Sequence, residues 1–247
     1  MQRISVNPQN QFPTTWEFPS LAEQPPAKTT KFHPSRPGLE NASLFFVGRA
    51  CMIIEWYGTR VMTDVKRGAT SICLTNPAVD LHSLPQIDLV LLSDRFDPKV
   101  EASLRRDLPI VTTPQVKTHL ISKDQGSFTS VFALRPFEHV DIHIESTDGP
   151  KQPRLRVTGM PGKDVASNYR IYISGNTFAT KKLQEVARRY EGQPINLMLA
   201  NLGGTIIPSF LAGSSLEDFQ RMVEAAGLSD KLLVLDRGDE YRFHVRG

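Results

Sequence analysis

The sequence predicts an α/β fold in which two mixed sheets face each other and helices lie outside. Residues 87 to 97 read as a fully buried strand, Leu89-Val90-Leu91-Leu92, running into a polar loop and then a helix. An apolar run without alternation belongs to a strand covered on both faces. Strand–helix–strand rhythm occurs around residues 89–113 and again around 169–200, as parallel pairing through a crossover requires. Between residues 43 and 64, apolar runs are separated only by short turns, the mark of antiparallel hairpins. The halves share a rhythm that two facing sheets would produce, and no solenoid-type repeat interrupts it.

Composition sets the outer bounds. A chain of 247 residues with 40% hydrophobic and 22% charged residues can bury a sizeable core without staples. The net charge of +3 is mild, and Lys and Arg are interspersed with Asp and Glu. No basic stripe carries interleaved aromatics, which argues against nucleic acid as a partner. No apolar run is long enough to span a bilayer, and the first residues have no signal-peptide core. The two cysteines, Cys51 and Cys73, make neither a disulfide framework nor a zinc site. They point to a reducing, cytoplasmic setting.

Taken in order, residues 1–40 form a Pro-rich arm. Pro8, Pro13, Pro19, Pro25, Pro26, Pro34 and Pro37 exclude long helices and central strands, while Trp16, Phe18 and Phe32 suit an arm that lies on the body. The body, 41–247, opens with strands at 43–48, 51–56 and 59–64, the last two joined by Tyr57-Gly58. Residues 66–85 are irregular. After the organising strand, Asp97-Pro98 is a helix start, with Asp as cap and Pro in the first turn, and that helix carries Val100, Leu104 and Arg106. A strand at 109–113, a short helix at 114–120, strand material from 126 to 145 and an alternating strand at 154–158 follow. The last third predicts a strand at 169–174, a helix with Leu183, Val186, Ala187 and Tyr190 on one face, and a strand at 195–200. A capped helix follows from Ser215 to Gly227. Closing strands are expected at 232–235 and 241–245.

Several strings resemble the metallo-β-lactamase superfamily, within it the group of UlaG-like lactonases and N-acylphosphatidylethanolamine phospholipase D-like hydrolases. Ser43-Leu-Phe-Phe-Val-Gly-Arg-Ala-Cys-Met-Ile-Ile-Glu-Trp56 is similar to that group's opening hairpin. Arg60-Val-Met-Thr-Asp64 resembles its "ILTDP" turn. Leu89-Val-Leu-Leu-Ser93 resembles the strand leading into its metal motif, and Ile171-Tyr-Ile-Ser-Gly-Asn-Thr177 the strand ending in S-G-D-T. The resemblance spans roughly residues 40–247 and implies an αββα sandwich. It also implies one or two zinc-type ions that activate water and polarise an ester, amide or phosphodiester.

At each position where the resemblance places a ligand, this chain departs from it. The H-x-H-x-D-H motif should follow Ser93, but the chain reads Asp94-Arg95-Phe96-Asp97. Asp94 survives as a carboxylate, and Arg95 puts a fixed cation where a ligand belongs. Asp164 stands where the next histidine falls, Asn176 replaces the bridging aspartate and Asn201 replaces the histidine of "HLGG". Residues 207–214 are too short for the family's helix and strand before the last ligand, so the C-terminal part is expected to be truncated. The sheet edge this leaves would suit a homodimer. His33, His82, His119, His139, His143 and His244 match none of the ligand positions.

Each candidate has an ordinary reading beside the chemical one. Asp94 is a residual ligand or base, or a solvated residue at a strand end. Asp97 is a helix cap. Asp94 with Asp164 would give only two carboxylates to a hard cation. Asn176 and Thr177 shape a turn. His139 and His143 share a strand face but lie far apart. Gly203-Gly204 alone does not establish phosphate binding, and Cys51 sits in a buried-strand pattern as an inert thiol.

The reading is a metallo-β-lactamase-like protein that has lost its metal ligands: a non-hydrolytic scaffold for a small molecule or protein, with no cofactor. A second reading is a hydrolase of ester, lactone or phosphodiester bonds using zinc or manganese, through a rebuilt site or an incomplete chain. A third is a doubly wound α/β small-molecule-binding domain, based on the strand–helix–strand unit from Leu89 to Thr113, which a wholly parallel sheet would favour.

Overall fold

The computed structural model describes residues 2–8, 26–34, 37–48, 51–64, 84–96, 98–122, 126–145, 154–159, 163–166, 170–173, 196–199, 203–207, 210–213, 216–225, 227 and 229–245. The strands are β1 (Gln2–Val6), β2 (Thr30–Phe32), β3 (Ala42–Gly48), β4 (Cys51–Trp56), β5 (Thr59–Thr63), β6 (Leu89–Leu92), β7 (Ile110–Thr112) and β8 (Val131–Ala133). They continue with β9 (His139–Ile144), β10 (Arg154–Thr158), β11 (Lys163–Ala166), β12 (Arg170–Ile173), β13 (Leu197–Leu199), β14 (Gly203–Ile207), β15 (Phe210–Gly213) and β16 (Glu240–Phe243). Among the described residues the helices are α1 (Pro98–Ser103), α2 (Pro114–Ile121) and α3 (Leu216–Ala225).

The strands form an eight-stranded sheet, β2-β16-β3-β4-β5-β6-β7-β8, a six-stranded sheet, β1-β9-β10-β11-β12-β13, and a separate hairpin, β14-β15. Both large sheets are mixed. In the larger, β16-β3-β4-β5 pair antiparallel and β5-β6-β7-β8 pair parallel. That mixture removes the basis for a doubly wound domain with a wholly parallel sheet.

Alternation along the antiparallel strands sorts the apolar residues into two cores. Leu44, Ile54, Val61, Leu89 and Leu91 face the other sheet and meet Ile4, Val140, Ile142 and Ile171. Phe45, Ile53, Met62, Val90 and Leu92 face outward and are covered by Val100, Leu104, Val116 and Leu120 on and around α1 and α2. β6 lies at the centre, and all four of its residues are buried, so an unbroken apolar run is what both of its faces require.

The Pro-rich arm lends an edge strand to each sheet. β1 pairs parallel with β9, putting Ile4 and Val6 in the core, and β2 pairs parallel with β16. Prolines restrict the arm to edges, and both strands are edges.

Other elements differ from expectation for local reasons. α1 ends at Ser103, short of Arg106. The Arg106 guanidinium donates to Glu101 O (2.7 Å) and Ala102 O (3.4 Å) and lies 4.7 Å over the Phe128 ring. It therefore satisfies the terminal carbonyls that a further turn would use. Residues 232–235 do not form the expected closing strand. They follow a 3-10 turn, Ser229–Lys231, and Val234 O accepts from Lys31 Nζ at 2.7 Å instead of entering a ladder. Where residues 207–214 were too short for a helix and strand, the chain forms the β14-β15 hairpin. The expected helix over 183–190 and the Asp97 cap lie outside the described residues.

Candidate functional site

Parallel β5 and β6 end side by side, because Thr63 registers with Leu91. Asp64 follows one strand and Ser93-Asp94 the other. Asp64 bends into the left-handed region (φ 39°), which Asp tolerates better than most residues. Its N–H donates to Leu91 O at 3.0 Å, so the turn is locked to β6. The carboxylate is 1% exposed. Its Oδ1 accepts from Ser93 N at 2.7 Å and from Ser93 Oγ at 2.6 Å. Two hydrogen bonds from Ser93 hold this one oxygen of the buried carboxyl group. Ser93 was absent from the sequence-derived candidates; its signal is a hydroxyl at the strand end directly opposite a buried aspartate.

Asp94 is exposed, and its Oδ1 accepts from Arg95 N at 2.8 Å. That is a local side-chain-to-backbone turn. Cys51 lies under this end of the sheet, 6% exposed. Burial pushes its thiol pKa far up and the Asp64 charge pushes it further, so the thiol stays protonated and unreactive.

Asp164 lies on β11, registered between Thr158 and Tyr172. Asn176 and Asn201 lie outside the described residues, as does Asp97. The structure thus brings Asp64 and Ser93 into contact and places Asp94 beside them in sequence. His139 and His143 are on the outer face of β9, registered with Thr158 and Arg154. Burial, followed by the Arg3 and Arg154 charges, lowers the His143 pKa. Four residues of strand separate the two imidazoles by about 13 Å, too far for one ion.

Among the described residues no three His, Cys, Asp or Glu side chains cluster as a metal ligand set. The described residues at the β5–β6 end do not fit a zinc-type ion. Asp64 turns one oxygen onto Ser93, Asp94 turns one onto its own loop, and Arg95 adds positive charge.

No family model matches the chain, and no curated protein matches it. Solved structures do. The isothiocyanate hydrolase from Delia radicum gut bacteria superposes with a TM-score of 0.53 at 15% identity, over 80% of this chain and 98% of that one. Igni18, a metallo hydrolase from Ignicoccus hospitalis, superposes at 0.53 and 13% identity, over 83% of this chain and 99% of that one. The fold is metallo-β-lactamase-like. The loop after β6 is the position where the sequence resemblance expects an H-x-H-x-D-H motif. The structure fills that loop with Ser93, Asp94 and Arg95.

Proposed function

We propose that this protein is a non-hydrolytic scaffold built on the metallo-β-lactamase-like fold, descended from the UlaG-like group and binding a small molecule or protein without a metal. The Asp64–Ser93 contact carries the reading. A carboxylate at the strand end is held by a hydroxyl and a backbone N–H, which ties the loop to the sheet as an ion would otherwise do. Arg95 supports it, since a guanidinium repels a cation. A cytoplasmic location and self-association over a sheet edge belong to the same proposal.

The test is elemental mass spectrometry of the folded chain after incubation with zinc and manganese and then dialysis. It is run beside assays on lactone, ester, phosphodiester and isothiocyanate substrates. The scaffold reading expects no retained metal and no metal-dependent turnover. Near-stoichiometric metal with turnover would replace it with the hydrolase reading. That second reading draws on the structural match, which takes in nearly the whole of two chains described as hydrolases. Asp94 and Asp164 would then be the carboxylates to substitute.

A further inference from the structure

Toward the Asp64 end of the eight-stranded sheet, Phe45, Ile53 and Met62 on its outer face are buried in the core under the helices. Two residues along each of these strands, toward the Tyr57 turn, the same face becomes polar. Register lines up Arg242 of β16, Ser43 of β3, Glu55 of β4 and Arg60 of β5 across four adjacent strands. The row lines an open groove of about 590 Å³, whose walls also include Ala27 of the arm and, at the turn end, Glu40 and Tyr57. Small-molecule sites occupy roughly 300–1,000 Å³.

The charges in this groove are sorted by sign. Arg242 Nε donates to Glu240 Oε2 at 3.0 Å, and Arg60 Nε donates to Glu55 Oε2 at 2.8 Å. Arg242 and Glu55 therefore look inward from two separate ion pairs. They stand two strand spacings apart, about 10 Å between backbones, with only Ser43 between them. The Arg242 side chain is 51% exposed, and among the described residues its terminal amino groups make no other hydrogen bond. The half-buried Ser43 hydroxyl has no partner among the described residues. At the turn end, Glu40 Oε1 accepts from Gly38 N at 3.0 Å, and no cation meets this carboxylate among the described residues. The exposed Tyr57 ring stands beside it in the groove, braced edge-on against Trp56 at 4.9 Å. One end thus presents a guanidinium and a hydroxyl, the other two carboxylates and an aromatic face.

We propose that this groove binds a zwitterion of dipeptide length, with a free ammonium at one end and a free carboxylate at the other. The carboxylate lies on the Arg242 guanidinium and accepts from Ser43 Oγ. The ammonium donates to Glu55 and Glu40 beside the Tyr57 ring. Two extended residues span at most about 7 Å, and the Arg242 and Glu55 side chains, reaching in from either side, close the rest of the gap. A free amino acid carries both charges on one carbon and is too short to meet both ends. A ligand of a single sign meets like charge at one end. The row crosses the start of β5, whereas Asp64 follows its end, so the inference stands whether or not the loop after β6 holds an ion.

Nuclear magnetic resonance of the full, ¹⁵N-labelled chain, titrated with alanyl-alanine, tests this. Its N-acetyl form lacks the ammonium, its C-terminal amide lacks the carboxylate, and free alanine lacks the length. Alanyl-alanine should shift the backbone signals of Ser43, Glu55 and Arg242 saturably, with an affinity of about a millimolar for a ligand of this size. The three controls should each bind about tenfold more weakly or not at all. Ser43→Ala and Glu40→Gln break no ion pair and should weaken alanyl-alanine about three- to tenfold. Arg242→Gln should weaken alanyl-alanine about tenfold and leave the amide unchanged, a split that general damage to the sheet would not give. The proposal fails if alanyl-alanine gives no saturable shift or if the blocked forms bind as well as it does. It fails also if Ser43→Ala and Glu40→Gln both bind alanyl-alanine like the parent.

Discussion

Asp64 combines two demands that few residues meet together. Its backbone is left-handed, and its side chain must accept two hydrogen bonds while almost wholly buried. Asp64→Ala therefore strands the Ser93 donors and strains the turn. Urea unfolding should show a loss of about 2–4 kcal/mol. Asp64→Asn keeps an acceptor and tolerates the left-handed backbone, so it should cost clearly less. Two other aspartates titrate in opposite senses. Burial raises the Asp88 pKa, against the Arg60 N–H and charge that lower it. A raised acid stabilises the fold while protonated, and that contribution fades as pH climbs from the usual aspartate value, about 3.9, through the folded one. Asp239 is pushed up by burial but held lower overall by the Asp236 N–H and the Lys31 ammonium. Its contribution is present above the usual value and lost as pH falls through the depressed one. Unfolding measured across pH 3–7, a range set about those values, should show Asp88→Asn gaining on the parent as pH rises. Asp239→Asn should be weakened at neutral pH and less sensitive to acid.

Among the elements, the bend between β10 and the β8–β9 loop depends on one missing side chain. A Cβ on Gly159 would lie 2.6 Å from Arg135 O and 2.9 Å from Leu134 Cβ, and backbone cannot yield as a flexible side chain would. Gly159→Ala should lower stability by about 1–3 kcal/mol, with a fall in melting temperature as the check; an unchanged melting point would mean the loop simply moves. Which elements were legible follows from how locally they are specified. β6 was legible because both of its faces are buried, and the β4–β5 hairpin because Tyr57-Gly58 separates two apolar runs. α2 was legible from Pro114, and its Thr113 cap accepts from Val116 N. β1 and β2 are three to five residues long and exist through pairing with β9 and β16, partners more than a hundred residues away in the chain, so no local pattern announces them. Residues 232–235 carry a strand's composition, but the Lys31 ammonium takes a carbonyl that pairing would need. At the candidate site, the sequence singled out Asp64 and Asp94, while Asp164 falls on β11 of the other sheet. The Asp64–Ser93 contact was not, because it depends on the register of β5 against β6.

For the whole molecule, the open question is whether an ion is part of the folded state, and linkage gives it a thermal readout. An ion that binds the folded chain alone adds stability in proportion to the logarithm of its saturation, about 2.7 kcal/mol at a hundredfold excess over its dissociation constant. For a chain of this size each kcal/mol moves the melting temperature by about 2–4 °C. A site of micromolar affinity would thus raise melting by about 5–11 °C in 0.1 mM zinc or manganese. With Asp64 committed to Ser93 and Arg95 at the loop, the expected shift is under about 1 °C. Chelator should leave melting unchanged. A rise of several degrees would require a ligand set that includes groups beyond Asp64 and Asp94. Repeating the scan with Asp94→Asn and Asp164→Asn would locate it. Loss of the rise in either variant would put that carboxylate on the ion and restore the hydrolase reading.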